Sequence, residues 1–280
     1  MVRTGLSALS LVMGFFLLQA CEEGPPSGFT EFEEPLVLQD SKKKLDISVC
    51  APTSANFPSP LTSTNPYFPI APVGSQWTLE GEEDGTLVKA VVTVLNRTRM
   101  IDGVNTRVIE EREFEAEEGE DLEEVEISWN YYRVTGDGTV CYAGEDVDDI
   151  EDGEVVGHGG AWCAEDDPDV NKSGIFMPAD PMPGMKFLQE SAPGVALDGV
   201  TIVGIGPVTV DYGTFLETIR FREFDGVEGT KGDYKVFAMD DFGTGDFQGG
   251  SVVDGPLELT DFSVGSGEPE SEISLQVCGS

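Results

Sequence analysis

The chain is poor in the residues on which most hydrolases and nucleic-acid readers depend. It has one histidine, and 16 lysines and arginines stand against 53 aspartates and glutamates, for a formal charge of −37. Such a surface repels phosphate backbones and anionic headgroups, so nucleic acid is excluded as a partner. The lone histidine, His158, sits between glycines. A hydrolase triad or a histidine-rich metal site built on it would find only carboxylates as partners. After residue 20 no apolar run approaches the ~20 residues that cross a bilayer. No amphipathic stretch of helical period is long enough to predict a helix.

What is present begins with a leader. Arg3 precedes an apolar run from Leu6 to Leu18, too short for a comfortable span and matched to a signal peptide. The run ends in Leu18-Gln19-Ala20-Cys21, which resembles the bacterial lipobox. That resemblance implies cleavage after Ala20, diacylglyceryl attachment to Cys21 and anchoring to a membrane through lipid. Glu22 after the cysteine resembles the sorting signal for the outer membrane, on either its periplasmic or its outer face.

Cys21 leaves Cys50, Cys141, Cys163 and Cys278, an even set suited to disulfides in an oxidising compartment. A hairpin turning at Asp152-Gly153 would bring 141 opposite 163 or 164, predicting Cys141–Cys163. Cys50–Cys278 then follows partly by elimination and partly because Leu45–Val49 and Ile273–Val277 share one alternation and each runs into a cysteine.

The organisation is a leader over 1–20, a tether over 21–64 with a short strand at Leu45–Val49, a β domain over 65–262, and a linker with a last strand over 263–280. Within the β domain the period is two. Val125, Ile127, Trp129 and Tyr131 alternate with Glu124, Glu126, Ser128 and Asn130, predicting a strand with the first set in a core and the second in water. Val88, Ala90, Val92 and Val94 repeat the pattern. Further strands are expected near 104–114, 139–143, 155–163, 185–190, 200–205, 216–223, 234–239, 257–262 and 272–277. Asp102-Gly103, Asp137-Gly138, Asp152-Gly153 and Asp225-Gly226 are hairpin dipeptides. The expected fold is all-β, an antiparallel meander forming a curved sandwich or partly closed barrel.

The run Asn65-Pro-Tyr-Phe-Pro-Ile-Ala-Pro-Val-Gly-Ser-Gln-Trp77, together with Ser173–Ala179, Pro207–Phe215 and the hairpin Glu126–Tyr142, resembles an uncharacterised family of exported bacterial β-rich lipoproteins. Its Tyr212-Gly-Thr-Phe215 element is similar to one in curved-sheet domains of the lipoprotein-carrier kind. The resemblance implies a curved sheet and assigns no reaction. The cysteine pair and the Gly-rich Asp241–Gly250 depart from that pattern.

One candidate metal site stands out. Asp167, Asp169 and Asn171 place oxygen donors at alternate positions, as calcium loops do, with acidic Glu145–Glu151 across the hairpin as extra ligands. Lys172 stands where a helical calcium loop needs glycine, which leaves an irregular loop. Calcium is therefore the one cofactor the sequence suggests. The Gly-rich 243–250 reads as a flexible turn. The expected function is that of an acidic envelope lipoprotein without catalytic residues, binding a protein or a small apolar ligand in the hollow of its sheet, with Trp77, Trp129, Phe187 and Phe221 as wall residues. The alternative is a calcium-dependent hydrolase of extracellular polymer, which a cleft of converging carboxylates would favour.

Overall fold

The computed structural model describes residues 43–52, 57–58, 61, 65–227, 229–240, 247–274 and 277–278. The leader, Cys21 and the tether as far as residue 42 lie outside the described residues. The fold is all-β, as expected. The first arm holds β1 (Ser75–Glu83), β2 (Thr86–Ile101), β3 (Val104–Glu117), β4 (Glu123–Val134), β5 (Val140–Glu151) and β6 (Glu154–Gly157). Short strands β7 (Trp162–Cys163), β8 (Gly174–Met177) and β9 (Lys186–Leu188) follow. The second arm continues with β10 (Asp198–Val210), β11 (Gly213–Asp225), β12 (Thr230–Asp240), β13 (Gln248–Asp254) and β14 (Leu257–Val264).

The two meanders meet where the first strand lies against the last. The sheet order is β6-β5-β4-β3-β2-β1-β14-β13-β12-β11-β10-β9, with β7 and β8 also paired to β5. The ladder does not close into a barrel. Its two ends are instead drawn together by single bonds: Lys172 N to Ser191 O at 2.8 Å and Gln189 Nε2 to Phe176 O at 3.1 Å. Gly174 must be glycine here, because a Cβ would lie 1.9 Å from the Gln189 carbonyl oxygen.

The turn chemistry follows the sequence. Asp102-Gly103 and Asp152-Gly153 have positive φ at both positions, the geometry of the tight hairpin that matches strand twist. Asp84-Gly85, between β1 and β2, does the same. The Asn65 side chain explains the prolyl-aromatic opening. It accepts from the Tyr67 and Phe68 amides and donates to Gly138 O and Pro178 O. These bonds fix Phe68 against Phe176, ring centres 4.3 Å apart.

Two apolar clusters form on opposite faces of the first arm. The inner one includes Trp77, Leu79, Val88, Ala90, Tyr132, Phe176, Phe221 and Phe237. The outer one includes Leu95, Val108, Ile127, Trp129, Tyr131, Ala143 and Ile150, with Ile273 and the Cys163 and Cys278 pair against it. The period of β4 is therefore as expected and its apolar set lies in a core, but that core is on the outer side of the sheet, and Glu126, Ser128 and Asn130, expected in water, are buried as well. Glu126, Ser128 and Asn130 point into the hollow, while Ile127, Trp129 and Tyr131 pack beneath the C-terminal segment.

That segment accounts for the other departures. Of the described residues in 273–278 none is in a strand. The segment is held by buried carboxylates instead: Asp148 accepts from Ser274 N at 2.6 Å and Oγ at 2.7 Å, and Asp146 accepts from Val277 N at 2.6 Å and Cys278 N at 3.1 Å. The disulfides are Cys50–Cys141 and Cys163–Cys278, which overturns the expected pairs. An irregularity between Asp149 and Ile150 breaks the hairpin ladder, and Cys163 falls opposite Gly144 rather than Cys141. The bare Gly144 leaves room for Cys278 Sγ, which would sit 2.8 Å from a Cβ there. Nor is Leu45–Val49 a strand. Asp46 caps a 3₁₀ turn over Ile47–Cys50, which delivers Cys50 to Cys141. Arg133, fully buried, fixes this corner through Cys50 O and Ser173 Oγ, both at 2.8 Å. The expected strand 155–163 is divided into β6 and β7. Gly249 and Gly250, in the segment read as a flexible turn, belong to β13, and the Trp77 indole donates to Gly249 O at 2.9 Å.

Candidate functional site

Cross-strand register builds the site. Val92 on β2, Glu111 on β3, Ser128 on β4 and Val147 on β5 lie in one row across the sheet. Ala90, Glu113 and Glu126 form the next row, and Asn130 faces Glu145 beside them. Facing residues share a side of the sheet, so these rows turn four glutamates toward the hollow. From the second arm come Glu223 on β11, Lys235 on β12 and, opposite Lys235, Asp254 on β13. Together they line a cavity of about 350 Å³ whose rim includes Asp84, Asp233 and Gly255.

Below it, the hollow is full. Phe68, Trp77, Tyr132, Phe176 and Phe237 occupy that half and leave a space of about 40 Å³, room for no more than a few water molecules. Trp77, Phe187 and Phe221 are core residues, 2%, 3% and 0% exposed, and Trp129 packs on the outer face. None of the four expected wall residues lines the carboxyl-lined cavity, whereas Phe187 borders a separate, more open groove of about 510 Å³ with Lys44, Lys186 and Arg222.

Electrostatically the cavity is unbalanced. Lys235, buried, reaches Asp254 Oδ2 at 3.0 Å and Glu223 Oε1 at 3.5 Å. Burial opposes its charge, but Asp254, Glu223 and Glu111 together raise its pKa. Burial is also the chief cause that raises Glu111, Glu145 and Glu223 to about 7 each, with Lys235 opposing the rise at Glu111 and Glu223 and the Tyr142 hydroxyl opposing it at Glu145. Asp198, beside Asp225, is pushed up to about 6 for the same first reason. Glu113, Glu126 and Glu190 lie well above the ordinary carboxyl range, through burial and then the neighbouring carboxylates. Glu126 is 7% exposed, faces Glu113 across the ladder, and its Oε2 has no hydrogen-bond partner among the described residues. Tyr142 donates to Glu145 Oε2 at 2.8 Å.

The residues singled out from sequence do not join this cavity. Asp167 and Asp169 are exposed beyond β7, and Asn171 donates its side-chain amide to Cys163 O at 3.0 Å. Of the acidic residues across the hairpin, Glu145 points into the cavity, whereas Asp146 and Asp148 hold the C-terminal segment. Among the described residues no group of three or more His, Cys, Asp or Glu is placed to hold a metal ion. His158 Nδ1 lies 3.0 Å from Asp148 Oδ1 and 2.8 Å from Val147 O, on the side away from the glutamates. Cys21 lies outside the described residues.

The cavity glutamates were hidden in sequence by the abundance of acidic residues. A usable signal was Lys235, which shares a strand face with Phe237 and so had to be buried with it. Comparison of the chain with protein-family models, with curated proteins and with solved structures finds no match.

Proposed function

We propose that the chain is a binding protein of the bacterial envelope, anchored to the outer membrane through lipid on Cys21, that takes a small ligand into the hollow of its curved sheet. The observation that carries the reading is the cavity of about 350 Å³ between the two arms, a size typical of small-molecule sites. The leader and its lipobox support the anchor. Because the apolar half of the hollow is filled with aromatic side chains, the room for a ligand is in the carboxyl-lined half.

Two measurements test this. Metabolic labelling with a fatty-acid analogue should mark the protein, and Cys21→Ala should abolish the mark and release the chain from membranes; labelling that survives the change overturns the anchor. A thermal-shift panel of cationic, anionic and neutral small molecules should contain a class that raises Tm, since a ligand that binds only the folded state stabilises it. The rise should vanish in Ala90→Leu, which pushes an alkyl chain into the cavity. A panel in which no class raises Tm overturns the binding reading.

A second reading, a hydrolase of extracellular polymer, is favoured by the same convergence. Carboxyls that are protonated near neutral pH beside ionised ones are the pairing that glycosidic hydrolysis uses. Release of chromophore from aryl glycosides, lost in Glu145→Gln, would establish it; no turnover above buffer would remove it.

A further inference from the structure

The cavity has two unlike walls. On the second arm, Lys235 already places an ammonium between Asp254 and Glu223, at 3.0 and 3.5 Å. On the first arm, Glu111, Glu113, Glu126 and Glu145 stand on three adjacent strands, and among the described residues no lysine or arginine comes within salt-bridge distance of them, Lys235 acting on Glu111 only through space. Glu126 adds an independent sign. It is more than nine-tenths buried, lines the cavity, and leaves Oε2 without a donor among the described residues. A buried carboxyl oxygen left without a partner is unfavourable unless something occupies the space in front of it. Val88, Ala90, Val147 and Leu257 supply apolar wall between the polar groups.

We propose that this wall seats the ammonium group of an organic amine, a primary alkylamine or short polyamine, with its carbon chain along the apolar strip. The proposal rests on the binding reading above and names the ligand class. An ammonium fits better than a metal ion. A divalent cation demands six or more oxygens at about 2.3–2.6 Å around one point, which these side chains do not offer, whereas an ammonium needs three acceptors in a looser arrangement. The Lys235 cradle is the same recognition satisfied from within the chain.

The site also makes a prediction that surface attraction does not. An amine binding at an already ionised acidic surface releases no protons. One entering this cavity must ionise carboxyls that burial keeps protonated, so protons leave the protein as it binds. Facing the seat are Glu83 and Asp84 at the β1–β2 turn, Glu111 and Glu113 on β3, Glu126 on β4, Glu145 on β5, Glu223 and Asp225 on β11, Lys231, Asp233 and Lys235 on β12 and Asp254 on β13; Asp149, opposite Glu126, acts on it, and Glu190 and Asp198 act on Glu145 and Glu223, through space.

Calorimetry on the full chain at roughly physiological salt, where surface attraction is screened, uses 1,4-diaminobutane, with 1,4-butanediol and calcium chloride as comparisons. Diaminobutane should bind, its apparent enthalpy should differ between two buffers at pH 6.5 through proton release, and its affinity should rise from pH 6 to 8. Glu126→Gln should weaken it roughly tenfold or more, the range for a lost charged hydrogen bond, with circular dichroism and both disulfides unchanged. Equal binding of the diol would overturn the ammonium assignment and leave the binding reading standing. Glu126-dependent binding of calcium without the diamine would replace it with a metal. Diamine binding without proton release, or undiminished in Glu126→Gln, would place the amine on the surface and overturn the proposal. No binding by any of the three would overturn it as well, while a compound of another class in the thermal-shift panel would keep the cavity as a site.

Discussion

The raised carboxyls make the fold more stable in mild acid than in mild base, and Glu145 is where the effect can be isolated. It is 9% exposed and moves from 4.5 to about 7, through burial first and then Glu111, against the hydrogen bond from Tyr142. Its folded pKa exceeds its unfolded one, so between these values the folded chain keeps a proton that the unfolded chain has lost. The stability this contributes is complete below about pH 4.5 and disappears as pH rises through 7. At roughly 1.4 kcal/mol per unit, the shift corresponds to about 3 kcal/mol, an upper figure because Glu145 titrates with its neighbours. Glu145→Gln removes the titration and keeps an oxygen to accept from Tyr142. The variant should exceed wild type by less than ~1 kcal/mol at pH 5 and by about 1–3 kcal/mol at pH 8, the latter a Tm gain on the order of 3–10 °C. Urea titrations followed by tryptophan fluorescence at the two pH values measure both quantities. Wild type as stable at pH 8 as at pH 5, or a variant with an undiminished pH slope, would refute the reasoning.

Non-reducing peptide mapping should join Cys50 to Cys141 and Cys163 to Cys278; any peptide joining Cys141 to Cys163 would overturn the described strand order. The bonds span 91 and 115 residues, so in the chain-entropy model each contributes on the order of 4–5 kcal/mol, and reduction should lower the urea midpoint accordingly. Gly250→Ala should cost more than about 2 kcal/mol, since its Cβ would lie 2.3 Å from Trp77 Nε1 with φ at +139°. Gly85→Ala, with φ at +90° and open space around it, should cost only about 1 kcal/mol; equal losses at the two sites would show that the Trp77 contact is not the cause.

Much of the fold was legible because strands write their period locally. The alternation in 88–94 and 124–131, and the Asp-Gly pairs at 102–103 and 152–153, marked elements and turns that the structure contains. β13 was missed because Gly249 and Gly250 suggest a loop, whereas a Cβ at Gly249 would lie 2.2 Å from the Pro66 carbonyl oxygen and one at Gly250 2.3 Å from the Trp77 indole nitrogen. The cysteine pairing was missed because register was counted from one turn: the irregularity at Asp149 moves the partners by one residue and the break between β6 and β7 by one more, so Cys163 falls opposite Gly144. The cavity was illegible for a different reason. In a chain with 53 acidic residues, no spacing separates Glu111, Glu113 and Glu126 from glutamates that merely face water.

The outward apolar face of β4 and the second disulfide have one cause. Alternation says that two faces of a strand differ; it does not say which face is inside. The apolar face of β3–β5 finds its cover in the chain's own C-terminal segment, with Ile273 and Cys278 packed over Trp129 and Tyr131 and the segment held by Asp146 and Asp148. Cys163–Cys278 pins that cover to β7, beside a strand residue, Gly144, that lacks a side chain to obstruct it. With the apolar residues buried on the outside, the opposite face is released from the requirement to be apolar, and glutamates can line the hollow. Burying them carries an electrostatic cost that is met in part by protonation and in part by Lys235, a compromise that costs stability at neutral pH and is worth retaining when a cation completes it. The outer cover and the acidic interior are therefore one device: without the first, the alternating faces of β3–β5 would turn their tryptophan and isoleucines inward, and the carboxyl-lined cavity would not exist.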